Sequence, residues 1–151
     1  MSVRLIEIGE DNWTSFLRLS AHEAQRAYVA DPVGILARAY VYREQHARVF
    51  GIESDGTIVG MAMVRDLDEE PACYELQQFL VDARYQNRGI GSEALQKILS
   101  ILQEERRYDC VEVCVKAADE QAQHVYEKNG FTDTGYLDPD CPDCINLMRK
   151  L

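Results

Sequence analysis

The chain has few of the features that mark fibrous, disordered or membrane-spanning proteins. Its 151 residues include one tryptophan and four prolines, with no internal repeat and no low-complexity tract. No apolar run approaches the ~20 residues that a transmembrane helix requires. Basic residues are also scarce, because 16 Lys and Arg face 26 Asp and Glu, a net charge of −10. This shortage argues against nucleic acid and membranes as partners, since both favour basic surfaces, and it suits cationic partners.

Cysteine occurs five times, an odd number, and the start MSVRLIEIGEDNW lacks the apolar stretch of a secretory signal. We therefore expect a soluble, cytoplasmic protein with reduced thiols. Cys141 and Cys144 form a Cys-x-x-Cys motif, but a zinc site usually needs a second pair at defined spacing. Cys110 and Cys114 share one face of a predicted strand and are expected in the core. No metal site is therefore predicted. The loop around Cys141 is acidic, whereas a reactive thiol needs an electropositive setting, so a redox switch is not predicted either.

The length suits one domain spanning residues 1–151, and 46% apolar residues suffice for a core. Periodicity of two or 3.6 residues gives the element order β-α-α-β-β-β-α-β-α-β-β. We predict strands at 3–8, 47–53, 57–65, 73–82, 110–116, about 131–137 and 144–150, and helices over Trp13 to Leu19, 33–45, 88–106 and 119–129. The second helix should bury Ile35, Leu36, Ala39 and Tyr40. This order predicts a mixed α/β (α+β) sheet with helices on both faces.

The most informative segment joins a predicted strand to the longest predicted helix and reads FLVDARYQNRGIGS from Phe79 to Ser92. Free amides in the first turn of a helix bind anions, and Gly89 and Gly91 let the backbone approach a phosphate closely. Arg84 and Arg88 add positive charge. The segment lacks the Lys-Ser/Thr of a P-loop and the third glycine of a dinucleotide fingerprint. It predicts a phosphate or pyrophosphate pocket, with a simple glycine-bearing helix start as the alternative.

Two motifs carry a family resemblance. Gln86 to Gly91 resembles the Gln/Arg-x-x-Gly-x-Gly/Ala signature of the GNAT superfamily of N-acetyltransferases. Ala122 to Phe131 resembles the family's second signature, Ala-x-x-hydrophobic-Tyr-x-x-x-Gly-Phe. The resemblance covers essentially the whole chain. It implies a mostly antiparallel sheet of about six or seven strands with a central β-α-β cofactor unit, and direct attack of an amine on acetyl-CoA without a metal.

The resemblance also implies where acetyl-CoA lies, in a cleft between the strands at 74–82 and 110–116. The pantetheine arm would pair with the strand backbone, and the pyrophosphate would bind the loop amides. The residues expected to contact the cofactor are Phe79, Leu80, Val81, Gln86, Asn87, Arg88, Gly89, Ile90, Gly91, Ser92 and Asp119. At Asp119 many relatives carry an asparagine that bonds the cofactor amide, whereas an ionised aspartate can accept but not donate a hydrogen bond.

Two residues match positions with catalytic roles in the family. Tyr126 matches the tyrosine that often protonates the departing thiolate, and a phenol pKa near ~10 suits that task. The alternative is a core aromatic. Glu75 matches a strand position where some members place the general base; the alternatives are a solvated acid or an anchor for substrate charge. Two-fold alternation places Glu75 on one face with Gln77, Phe79 and Val81.

The acceptor is expected to be a small-molecule amine. The segments Asn12-Trp13, Gln25 and 28–30 resemble the bacterial spermine/spermidine acetyltransferase branch, which implies a polycationic amine. Acidic groups cluster at 66–70 with Glu75, and at Asp138, Asp140 and Asp143, although such groups are usually solvated loops. His124 is expected at the surface. Alternatives are N-terminal or lysine acetylation of a protein and a non-catalytic acyl-CoA-binding module, and a homodimer is a further partner hypothesis.

Overall fold

The computed structural model describes residues 2–151, and its centre is a seven-stranded sheet. The strands are β1 (Val3–Glu7), β2 (Arg48–Ser54), β3 (Thr57–Leu67), β4 (Cys73–Val81), β5 (Cys110–Lys116), β6 (Thr132–Asp133) and β7 (Cys144–Lys150). They lie in the order β1-β2-β3-β4-β5-β7-β6, and β4 and β5 run parallel while the other pairs are antiparallel. The predicted mixed, mostly antiparallel fold is confirmed.

Three α-helices cover the two faces of the sheet. They are α1 (Pro32–Val41), α2 (Ile90–Glu105) and α3 (Glu120–Lys128). On one face Ile35 of α1 packs with Phe16, Met61 and Met63. On the other face α2 buries an apolar stripe that includes Leu95, Ile98 and Leu102, each at most 1% exposed. Each such side chain contributes about 1.5–3 kcal/mol by leaving water, so the stripe fixes α2 on the sheet.

The predicted first helix is wrong. Two short 3-10 turns, Trp13–Phe16 and Glu23–Gln25, replace it, although Phe16 and Leu19 are buried. The cause is tertiary, because the chain between the turns is bonded to the end of β4. The Ser20 N–H donates to the Asp82 carboxylate at 3.0 Å, and the Ser20 carbonyl accepts from the Ala83 N–H at 2.9 Å. A continuous helix could not make these bonds.

β4 carries an extra residue relative to β3. Met63 lies opposite Gln78 and Val64 opposite Leu76, so Gln77 bulges out of the pairing. Leu76 and Phe79 consequently pack on the same core, beneath α2 and α3, although three positions separate them. Glu75 points to the other face, where it pairs with Arg65. The prediction that Glu75 shares a face with Phe79 and Val81 is therefore wrong.

Four narrower predictions also fail. Tyr40 is 67% exposed, because the inner stripe of α1 is narrower than predicted and the Tyr40 ring lies under Arg43 instead. Cys114 is exposed, because it faces away from the valines of β5 that enter the core. Cys141 and Cys144 form a disulfide, so the thiols are not all reduced. The strand after α3 stops at Asp133, since Gly135 turns the backbone with a φ of 76°. Within residues 2–151, no helix is long and apolar enough to cross a membrane.

Candidate functional site

The site lies where β4 and β5 separate in the middle of the sheet. Their pairing is limited to Tyr74 with Val111 and Glu75 with Glu112. Beyond the bulge at Gln77 the strands diverge, so the β4 backbone that faces β5 is left without a strand partner. Backbone groups in that position remain available to a ligand.

A cleft of about 380 Å³ opens along this diverging part of β4. Nine of the predicted cofactor residues line it: Phe79, Leu80, Val81, Gln86, Asn87, Gly89, Gly91, Ser92 and Asp119. Two do not, because the Ile90 side chain is buried in the core and Arg88 lies over the ring of Tyr85. The cleft is also lined by residues that were not predicted as site residues: Ala21, Gln25, Val29, Gln121, Ala122, His124, Val125 and Lys128. Of these, Lys128 brings a positive charge to the cleft.

The loop before α2 exposes backbone amides to the cleft. Asn87 and Gly89 adopt positive φ angles of 62° and 81°, and Gly89 caps α2 without a side-chain hydrogen bond. The N–H groups of the first turn of α2 are therefore not used by a capping side chain. Such a helix start is an anion site, because its amides and the helix dipole both favour negative charge. Asp119 contrasts with it, since its carboxylate accepts from the Ala122 N–H at 3.2 Å and caps α3.

Asp82 fixes this loop in place. Its buried carboxylate accepts hydrogen bonds from the backbone N–H groups of Ser20 and Arg84, both at 3.0 Å, and pairs with the Arg84 guanidinium at 2.8 Å. Burial acts to raise the pKa of Asp82, but these hydrogen bonds outweigh it and hold the pKa below its usual range. The charge of Arg84 is therefore already paired within the loop.

Three glutamines connect the walls of the cleft. The Gln86 side-chain amide donates to the Val81 carbonyl at 2.9 Å and to Gln25 at 2.8 Å. Gln25 in turn donates to Gln121 of α3 at 2.9 Å. The chain of bonds joins the N-terminal segment, the loop and α3. No sequence signal predicts it, because the partners are distant in the chain and exposed glutamines are common.

Tyr126 lies between the cleft and a second cavity of about 110 Å³ in the gap between β4 and β5. Its ring is 6% exposed and packs against Phe131 and Phe79, with centroids 5.4 Å and 6.3 Å away. Among residues 2–151 its hydroxyl has no hydrogen-bond partner. Burial, reinforced by the charge of Asp119, raises the pKa of Tyr126, so the phenol stays protonated at neutral pH.

The second cavity has charged side chains of both signs in its wall. Its lining includes Gln77, Cys114, Lys116, Asp119 and Cys144. Burial and then the charges of Glu75, Asp138 and Asp143 raise the pKa of the Cys114 thiol. Three carboxylates therefore act on a side chain that lines this cavity. Lys116, which also lines it, opposes their effect and pairs with Asp143 at 3.1 Å.

Glu75 lines neither cavity. Its carboxylate pairs with Arg65 at 2.9 Å on the α1 face of the sheet. Burial raises the pKa of Glu75, and Arg65 opposes that effect. The acidic turn before β4 is partly occupied as well, because Asp66 pairs with Arg107 at 2.8 Å and with His46 at 2.9 Å. Asp66 therefore has a structural role.

Comparison with known proteins agrees with this geometry. The family described as "Acetyltransferase (GNAT) family" matches residues 6–131. Spermine/spermidine N(1)-acetyltransferase of Bacillus subtilis is 27% identical over 146 residues, 91% of this chain and 93% of that protein. N-alpha-acetyltransferase RimI of Mycobacterium tuberculosis is 31% identical over 119 residues, 78% of this chain and 73% of that protein. The crystal structure of spermidine N-acetyltransferase from Vibrio cholerae, in complex with CoA and spermine, has a TM-score of 0.76 at 15% identity, covering 98% and 95% of the two chains.

Proposed function

Because the chain belongs to the GNAT acetyltransferase family, and is thus an acetyl-CoA-dependent N-acetyltransferase, we propose that its acceptor is a polyamine such as spermidine or spermine. The observation that carries the proposal is the second cavity, where the charges of Glu75, Asp138 and Asp143 act on Cys114 in the cavity wall. A polyamine presents several ammonium groups to such carboxylates. The similarity to the Bacillus subtilis spermine/spermidine enzyme supports the same acceptor class.

The cleft fits acetyl-CoA, which supplies the acetyl group as a thioester when bound. The amides of the first turn of α2 hold the pyrophosphate, and Lys128 offsets its charge. The free backbone of β4 at Phe79 to Val81 receives the pantetheine arm. The reaction needs no metal, as in GNAT enzymes generally.

Tyr126 supplies the proton that the leaving thiolate requires. It lines both cavities, which supports a role where the cofactor end and the acceptor end of the site meet. Its raised pKa keeps the phenol protonated at neutral pH, so the proton is in place when the thiolate leaves, and it also makes the phenol a weaker acid than one with a pKa near ~10. The missing hydrogen-bond partner leaves the hydroxyl free to turn toward that sulfur.

Glu75 takes the proton from the acceptor ammonium through water. It lies on β4 two residues before the bulge and its charge reaches Cys114 in the cavity wall. Its pKa is raised because it is buried, which makes it a better base than an exposed carboxylate. Arg65 holds the carboxylate in one orientation.

A second candidate function is acetylation of a protein N-terminus. The 31% identity to N-alpha-acetyltransferase RimI over most of this chain favours it. A peptide substrate would need an open acceptor groove rather than a cavity of about 110 Å³. Both functions use the same cleft and the same Tyr126.

Release of CoA thiol tests the proposal directly. The full chain is assayed with acetyl-CoA and spermidine, spermine, a monoamine of similar length, an acidic amino acid and a peptide with a free N-terminus. The expected result is the highest kcat/KM for spermidine and spermine. Preference for the peptide would replace the polyamine by a protein acceptor, and no turnover with any amine would favour a CoA-binding module without catalysis.

A further inference from the structure

Three of the five cysteines converge beside the second cavity, which we call the acceptor cavity because the proposed function places the amine there. The sulfurs of Cys114, Cys141 and Cys144 all lie within 4.8 Å of one another, and we call these residues the thiol cluster. The β5–β7 register explains the convergence, because Cys144 lies opposite Lys116 and Cys114 is two residues from Lys116 on the same strand face. A tight turn, in which the Cys144 N–H donates to the Cys141 carbonyl at 3.2 Å, adds the third sulfur.

A carboxylate and a cation already lie against the cluster. Asp143 Oδ1 is 3.8 Å from the Cys141 sulfur and 3.9 Å from the Cys144 sulfur. The Lys116 ammonium lies 3.1 Å from both oxygens of Asp143 and 3.9 Å from the Cys141 sulfur. Three sulfur donors thus converge, and an oxygen donor paired with a positive charge lies beside two of them.

We propose that the reduced thiol cluster binds one Zn²⁺ through Cys114, Cys141 and Cys144, with the Asp143 carboxylate as fourth ligand. Four such ligands suit the tetrahedral preference of zinc, and Cys-x-x-Cys is a common half of a zinc site. Zn–S bonds of about 2.3 Å place tetrahedral sulfurs about 3.8 Å apart, within the spacing found here. Thiolates also select zinc over magnesium or calcium. The sequence concealed the site because its third cysteine comes from a different strand.

Zinc and the disulfide compete for the same sulfurs. In the structure Cys141 and Cys144 are joined, so a dithiol must first donate two electrons, which breaks the S–S bond and leaves two cysteine thiols while the dithiol becomes a disulfide. Zinc then displaces the three thiol protons and forms three Zn–S bonds. Lys116 offsets part of the excess negative charge of three thiolates and a carboxylate. Because Cys114 and Cys144 line the acceptor cavity, bound zinc would tie β7 and its preceding loop to β5 there.

Zinc affinity of the full chain tests the site without reference to acetyl transfer. The protein is reduced with a dithiol, freed of it under argon, and titrated with Zn²⁺ against a chromophoric chelator. We expect one zinc per chain. Cys114→Ser should weaken binding by more than the ~10–100-fold that loss of an outer-shell partner costs, and so should Asp143→Asn. Cys110→Ala, outside the cluster, should bind as the parent does. Absence of stoichiometric binding, or unchanged affinity of Cys114→Ser or Asp143→Asn, would overturn the ligand set.

Alkylation of the unmutated chain gives a second readout. Zinc should slow the modification of Cys114, Cys141 and Cys144 together, as mapped by mass spectrometry. Protection of Cys141 and Cys144 alone would overturn the three-thiolate site. Neither readout uses an amine, so this proposal and the polyamine proposal fail independently.

Discussion

Gly91 is a position where a side chain would enter the proposed CoA site without disturbing the protein. A Cβ built there lies 3.7 Å from Phe79 and 3.8 Å from Val81, which is ordinary contact. Gly89 is less suited to substitution, because its φ of 81° strains any other residue.

Gly91→Val should lower CoA affinity at least ~tenfold, the cost of one lost charge-assisted hydrogen bond. Calorimetry measures the affinity, and circular dichroism should show an unchanged fold. Gly9→Val is the matched control, since nothing lies within 4 Å of a Cβ at Gly9. Equal CoA affinities for both variants would show that the helix start does not hold the pyrophosphate.

Tyr126→Phe should lower kcat by ~10²–10⁴-fold, as expected for loss of a general acid. CoA affinity and stability should change little, because the ring still packs on Phe131 and the hydroxyl has no hydrogen-bond partner among residues 2–151. Tyr40→Phe, on an exposed ring of α1, should retain full turnover. A kcat within twofold of the parent would make Tyr126 a packing residue and leave protonation to water.

Glu75→Gln should flatten the rise of kcat/KM with pH. A base works only after losing its proton, and burial raises the pKa of Glu75, so activity should rise at a pH above the ordinary glutamate range. Glu112→Gln is the matched control, because Glu112 lies beside Glu75 on β5 and burial raises its pKa too. If kcat/KM of Glu75→Gln still rises with pH as in the parent, Glu75 binds the charge of the substrate and does not transfer a proton.

At the scale of elements, the loop between β4 and α2 depends on one buried carboxylate. Asp82 bonds both the loop and the N-terminal segment through Arg84 and Ser20. Asp82→Asn should cost about 1.5–3 kcal/mol of unfolding free energy at pH 7, the range for hydrogen bonds to a charged group. The CoA affinity of Asp82→Asn should also be lower than that of the parent, because the loop that holds the proposed pyrophosphate site is then less firmly fixed.

The difference should disappear in acid. The pKa of Asp82 is lower in the folded than in the unfolded chain, so its stabilisation is complete above the unfolded value of ~3.9 and is lost as pH falls through the folded value. Urea unfolding of Asp82→Asn and the parent at pH 7 and in acid measures this. Asp68→Asn, at an exposed turn, should show no such difference. A constant difference at every pH would exclude the charge as its cause.

Elements with strong local signals were predictable from the sequence. The Asp55-Gly56 hairpin, the stripe of α2 and the strand at 110–116 are found within a few residues of their predicted bounds. The N-terminal turns were not, because bonds from Ser20 to Asp82 and Ala83 override the local helical pattern. The bulge at Gln77 was also missed, because one extra residue does not change the residue types by which a strand is recognised in the sequence.

The loop of the candidate site was predictable because its glycines set the local backbone conformation. The glutamine chain and the thiol cluster were not predictable, because they depend on contacts between distant segments.

At the scale of the whole molecule, the carboxylates that give the net charge of −10 do not all contribute equally to binding a polyamine. Some carboxylates are paired, as for Glu53 with Arg4, and the pairs include Glu75 with Arg65 and Asp143 with Lys116, whereas Asp138 is in no ion pair among residues 2–151. The carboxylates that act on the acceptor cavity are a small subset of the total. Long-range attraction steers a cation to the protein, and the local subset decides where it binds.

A pair of neighbouring aspartates separates these two effects. Asp138→Asn and Asp140→Asn each change the net charge from −10 to −9, but only Asp138 is among the carboxylates that act on Cys114. At a salt concentration of about 20 mM the Debye length is ~20 Å. Under these conditions we expect the association rate with spermidine to be slightly lower for both variants. Asp138→Asn should in addition lower kcat/KM several-fold, because the lost charge acts on Cys114 in the wall of the proposed acceptor cavity. For the parent, kcat/KM should fall as salt shortens the Debye length to ~8 Å at physiological ionic strength, and fall less for a monoamine than for spermidine. Equal effects of the two substitutions, with no salt dependence, would show that charge does not select the acceptor, and the acetyltransferase reaction itself would be unaffected by that result.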